Sequence, residues 1–136
     1  RHVAVSLEDH DVRVDVPDGL LVLVDEAAIA RVLVNLLTNA AKFSPRGSTI
    51  QVRGDRDGER VCVHVVDEGD GIPTEEQARI FERFYRVERG GHRRPGTGVG
   101  LAIVKEFTEA QGGTVAVRST VGEGSEFTLR LRAARS

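Results

Sequence analysis

Residues 67–71 read Asp-Glu-Gly-Asp-Gly and close a strand-like run, while residues 96–100 read Gly-Thr-Gly-Val-Gly and open a helix-like run. Both lie downstream of a helix-like segment that carries Asn35 and Asn39. Glycine lets backbone N–H groups come close to phosphate oxygens, and a helix start adds partial positive charge. Amide oxygens of Asn can ligate Mg²⁺, a hard cation that prefers oxygen. Together the three segments describe a nucleotide pocket.

The length of 136 residues suits one domain with a real core, expected to span residues 1–136. A net charge of −2 gives no global pull toward nucleic acid or acidic membrane. Cys62 is the only cysteine, so no internal disulfide can form. Its strand-like surroundings, Val61 to Val66, predict a small buried hydrophobe. The sequence contains no run of 18 apolar residues. The expected location is cytoplasmic, with attachment of a longer parent protein to a membrane left open. The opening Arg-His-Val, without Met, reads as a fragment of such a parent.

Residues 11–16 alternate strictly and predict a strand, with Val3 to Leu7 a weaker candidate. Pro17-Asp18-Gly19 reads as a turn and Leu20 to Val24 as a short apolar strand. Asp25 is a candidate N-cap for a helix reaching about Phe43, stopped by Ser44-Pro45-Arg46-Gly47. Residues 49–54 and 60–67 read as a hairpin around Asp57-Gly58. Pro73 opens a second expected helix to about Phe84, and residues 86–98 read as a mobile loop. A third helix is expected from Val99 to Gln111, then strands at 114–119 and 125–132. The economical architecture is an α/β two-layer sandwich: one mixed, mostly antiparallel sheet with about three helices on one face.

At ~100° per residue, Asn35, Asn39 and Lys42 share a stripe at the edge of the helix's apolar face. Two readings stand for that stripe: a polar cluster aimed at a ligand, or amides bonded to neighbouring turns. Asp67 should emerge at a strand end near the core. There its carboxylate can accept from an exocyclic amine such as that of adenine, unless the segment is only a strand-to-helix turn. The glycines at 96, 98 and 100 match neither the P-loop, which ends in Gly-Lys-Ser/Thr, nor the dinucleotide fingerprint, which follows a strand.

In order along the chain, these segments resemble the ATP-binding catalytic domain of bacterial sensor histidine kinases. That group is shared with DNA gyrase, heat-shock chaperone and mismatch-repair ATPases and is built on the Bergerat fold. Asn35-Leu-Leu-Thr-Asn39-Ala-Ala-Lys42-Phe43-Ser44-Pro45 resembles the N box, and Asp67-Glu-Gly-Asp-Gly71-Ile72-Pro73 the first glycine box. Ile80 to Arg86 resembles the F box, Gly96 to Lys105 the second glycine box, and Gly122 to Phe127 the final turn.

The resemblance implies ATP and Mg²⁺ as cofactors. Asn39 would hold Mg²⁺ with support from Asn35, while Lys42 and Arg86 would reach phosphates. Phe43 would lie beside adenine, and Asp67 would accept from its amino group. Gly69, Gly71 and Ile72 of the first box and Gly96, Thr97, Gly98, Val99, Gly100 and Leu101 of the second complete the binding set. Residues 86–98 would form the ATP lid. Phe81 and Phe84 are expected as packing anchors.

In relatives that hydrolyse ATP, a Glu four residues before the Mg-binding Asn activates water. Here Asn35 holds that position, and a neutral amide is no general base. The resemblance therefore implies transfer of the γ-phosphoryl group to a histidine on a separate helical dimerisation and phosphoacceptor domain, and on to a response regulator. None of His2, His10, His64 and His92 fits the phosphoacceptor pattern, and His64 is expected to face out from its strand. The competing readings are an anti-sigma-factor-type serine kinase, a non-catalytic nucleotide-sensing module and, less favoured by the charge, a nucleic-acid binder.

Overall fold

A computed structural model describes residues 2–7, 10–16, 25–85, 88–89, 92–93 and 100–133. The expected turn at 17–19 and strand at 20–24 lie outside them, as do Arg86 and residues 94–99. In chain order the elements are β1 (His2–Leu7), β2 (His10–Asp15), α1 (Glu26–Phe43), β3 (Thr49–Asp57), β4 (Arg60–Asp67) and α2 (Thr74–Gln77). There follow β5 (Glu88–Arg89), β6 (His92–Arg93), α3 (Gly100–Ala110), β7 (Thr114–Thr120) and β8 (Gly124–Arg132).

Six strands form one sheet in the order β1-β2-β3-β4-β8-β7. Among the described residues, only β2 and β3 pair in parallel, because α1 carries the chain across between them. The other four pairings are antiparallel, so the sheet is mixed and mostly antiparallel, as expected. Alternation sends Val12, Ile50, Val52, Val65, Phe127, Leu129 and Leu131 to one face. They form a single core with Val32, Leu36 and Ala40 of α1 and Val104 of α3. Fully burying side chains such as Leu36, Ile50 or Leu129 contributes about 1.5–3 kcal/mol each.

The helix α1 begins where Asp25 accepts from the Ala28 N–H at 3.1 Å, a cap of a kind that contributes about 1 kcal/mol. The Asp25 N–H in turn donates to Gln111 Oε1 at 2.8 Å, which ties the start of α1 to the end of α3. Among the described residues, no helix is long and apolar enough to cross a membrane.

Four expectations change in detail. The second helix stops at Gln77, and residues 78–84 continue as successive turns with bonds such as Glu82 N–H to Arg79 O and Tyr85 N–H to Glu82 O. Tertiary anchoring explains the break. Ile80 is buried, and Phe81 meets Phe127 edge-on at 6.1 Å, so the segment bends to seat both. Phe84 lies outside that packing, 70% exposed, with φ at 66°. The segment expected as a loop at 86–98 contains the two-residue ribbon β5–β6. Cys62 is buried, but on the sheet face away from the core, beside Asp55 and Arg130 in register.

His64 also lies on that outer face, held by Asp55 Oδ2 at 3.1 Å, Glu126 Oε2 at 3.0 Å and Thr128 Oγ1 at 3.0 Å. Outward projection from β4 is as expected, though the ring is locked by its neighbours.

Candidate nucleotide-binding site

Helix α1 touches both glycine segments. At its end, the Phe43 carbonyl packs on the first turn, so closely that a β-carbon at Gly69 would sit 2.5 Å from that oxygen. At its middle, Asn35 faces the start of α3, where a β-carbon at Gly100 would lie 3.3 Å from Asn35 Oδ1. The Asn35 amide is oriented by its own helix, with Nδ2 donating to Arg31 O at 3.0 Å. That bond turns Oδ1 toward Gly100. Asn39 follows one turn later, half-buried, and Lys42 is exposed in the last turn.

Asp67 ends β4 with its side chain buried. Its Oδ1 accepts from Gly69 N–H at 2.8 Å and from Ser125 N–H at 3.3 Å. Burial pushes its pKa above the usual carboxylate range, the two N–H bonds oppose the shift, and the nearby Asp70 adds to it. A buried carboxylate whose partners among the described residues are backbone N–H groups costs stability, and such perturbed groups cluster at functional sites.

The β7–β8 turn closes over the first glycine turn. Gly71 has φ +78° and its missing β-carbon would fall 2.2 Å from Thr120 O. Gly122 N–H donates to Asp70 O at 2.8 Å. Ile72 N–H donates to Ser119 Oγ at 2.7 Å, and Gln77 Nε2 donates to both Ile72 O and Ser119 O. Ile72 and Leu101 are half-buried against the core. Sequence reasoning missed Ser119, Ser125 and Gln77. Ser125 stands in the quoted final turn next to Gly124, a usable signal, whereas Ser119 and Gln77 look like ordinary polar positions.

The structure thus brings together Asn35, Gly100 and Leu101 at the middle of α1, and Phe43, Asp67, Gly69, Gly71 and Ile72 at its C-terminal end. Arg86, Gly96, Thr97, Gly98 and Val99 lie outside the described residues. Among the described residues, no group of three or more His, Cys, Asp or Glu could hold a metal.

A profile of the histidine kinase-, DNA gyrase B-, and HSP90-like ATPases matches residues 24–135. The chain belongs to this ATPase family. The sensor-like histidine kinase SenX3 of Mycobacterium tuberculosis is 44% identical over 135 residues, covering 98% of this chain and 33% of that protein. The sensor histidine kinase WalK of Bacillus subtilis is 40% identical over 121 residues, covering 86% of this chain and 20% of WalK. The chain therefore spans a third or less of the length of these two relatives. Among solved structures, the mycobacterial sensor histidine kinase MprB superposes with a TM-score of 0.81 at 32% identity, covering 94% of this chain and 85% of that one. The α/β architecture of this ATPase domain is that of histidine kinase catalytic domains.

Proposed function

We propose that this ATPase-family chain is the catalytic domain of a sensor histidine kinase, one domain throughout, which binds Mg-ATP and passes the γ-phosphoryl group to a histidine on a separate helical domain. The observation that carries the reading is the buried carboxylate of Asp67 at the end of β4. Backbone N–H groups hold its Oδ1 and so fix its direction. A fixed buried acceptor suits the exocyclic amine of adenine. The Phe43 carbonyl packs on Gly69 of the first glycine turn, and Ile72 follows that turn against the core.

The phosphates would lie toward Asn39, Lys42 and the start of α3. Backbone N–H groups at the N-terminus of the eleven-residue α3 suit an anion. The residues present fit Mg²⁺: Asn35 and Asn39 offer neutral amide oxygens without a carboxylate cage, and Mg²⁺ takes few protein ligands beside phosphates and water. Once bound, the ion would neutralise charge on the transferring phosphoryl group. Lys42 would add a point charge, and Arg86 another from the lid.

Asn35 supplies no base, so water is poorly activated and ATP is held for an acceptor. The acceptor domain, the response regulator and a cytoplasmic location follow from the same reading. High identity to proteins named sensor histidine kinases favours this over a serine kinase or a non-catalytic module.

The test is transfer of label from γ-labelled ATP to a supplied helical phosphoacceptor domain. Acid-labile label on that domain, and none on this chain alone, is the expected result. Acid-stable label would point to a serine kinase, and strong labelling of the chain by itself would contradict the assignment.

A further inference from the structure

The β7 residue Ser119 sits at a junction that nothing in the nucleotide reading uses. Its hydroxyl has one proton and two lone pairs. The proton goes to Gly124 O at 2.8 Å. One lone pair accepts from Ile72 N–H at 2.7 Å. The remaining contact, Ser125 Oγ at 2.8 Å, must then be one in which Ser125 donates. All three capacities of Ser119 are filled, and each bond ends in one of the two turns that flank Asp67. Ile72 follows the first glycine turn, Gly124 packs on the Asp67 carbonyl, and the Ser125 N–H holds Asp67 Oδ1.

Asp67 and Ser125 are register partners on the inner face of the sheet. With its proton committed to Ser119, the Ser125 hydroxyl presents only lone pairs to its surroundings. Without Ser119, that proton would be free to turn toward the carboxylate of its register partner Asp67, and the Ile72 N–H would lose its acceptor. Gln77 fixes the same junction from outside, donating to Ile72 O at 2.9 Å and Ser119 O at 3.0 Å.

We propose that Ser119 is a positioning residue for purine recognition: its hydroxyl clamps the β7–β8 turn to the first glycine turn and keeps Asp67 aimed as an acceptor for an exocyclic amine. The proposal rests on the reading of Asp67 as the adenine contact. Ser119 itself touches no nucleotide.

The test compares Mg-ATP with the Mg complex of purine riboside triphosphate, which lacks only the amine. Affinities are measured by calorimetry for the wild type, Ser119→Ala and Ser119→Thr. Wild type should prefer ATP. Ser119→Ala should lose about tenfold for ATP, the scale of one hydrogen bond to a charged group, and within about twofold for the deaminated analogue. Ser119→Thr keeps the hydroxyl and should restore the preference. If circular dichroism shows Ser119→Ala unfolded, Ser119→Cys keeps the volume with a weak hydrogen-bonding group and should lose the same preference. Equal losses for both nucleotides, unchanged affinities, or a Thr variant that fails to recover the preference would each overturn the proposal. Failure of the wild type to prefer ATP would instead sink the assignment of Asp67, a distinguishable result.

Discussion

Gly124 lies so close to Asp67 that a β-carbon on it would stand 2.1 Å from the Asp67 carbonyl oxygen. Two turns distant in sequence are thereby pressed together, and the carboxylate that ends β4 is walled in by backbone. Gly71 repeats the relationship from the other side, against Thr120.

These approaches predict a sharp difference between glycines. Gly71→Ala and Gly124→Ala combine a positive φ with a backbone clash, so each should cost about 3 kcal/mol or more of unfolding free energy. Gly58 in the β3–β4 turn has φ +63° with nothing near its missing β-carbon. Gly58→Ala should cost only about 1 kcal/mol. Urea unfolding of the three variants checks the contrast, and equal costs would contradict it.

Asp67→Asn should stabilise the nucleotide-free chain. Burial raises the Asp67 pKa, so its folded form holds the proton more tightly than its unfolded form does. Its contribution to stability is present below the ordinary carboxylate pKa and is lost as pH rises through the raised folded value. At neutral pH the charge is a burden, and an amide oxygen can still accept from Gly69 and Ser125. The Tm of Asp67→Asn should exceed that of the wild type at pH 7, and the gap should narrow in acid. A lower Tm at pH 7 would show that the charge itself holds the turn.

Phe84 combines a φ of 66° with 70% exposure. Phe84→Gly removes the left-handed penalty without emptying the core and should stabilise by up to about 1 kcal/mol. Phe81→Ala, three residues earlier and packed edge-on against Phe127, should cost about 3 kcal/mol. Denaturant midpoints of both variants measure the difference, and a destabilised Phe84→Gly would mean that its ring is held by unseen contacts.

Asn35→Glu should create slow water activation. The wild type should release phosphate from ATP at a low rate without an acceptor domain, and the variant about 100-fold faster, the lower end of what general-base catalysis provides. Phosphate release is the measurement. Fast release by the wild type would contradict the role given to the amide.

Much of this was legible in the sequence where a local rule and the tertiary demand agree. The Asp25 cap, the apolar stripe of α1 and the Pro45 stop gave a helix that the structure keeps to the residue at Phe43. Alternation gave β2, the apolar run around the Asp57-Gly58 turn gave β4, and a strand was expected where β8 lies. The second helix was misjudged because its propensity is overridden by long-range seating of Ile80 and Phe81. Asp67 could be singled out because it ends an apolar run. Ser119 and Gln77 could not, since their meaning comes from a hairpin that folds back on residues 67–72.

The most direct measurement is calorimetric titration of Mg-ATP into the folded wild type and into Asp67→Asn. Saturable binding by the wild type, weakened about tenfold or more in the variant, is what a buried carboxylate reading adenine requires. Equal affinities, or no uptake by the wild type, would contradict it.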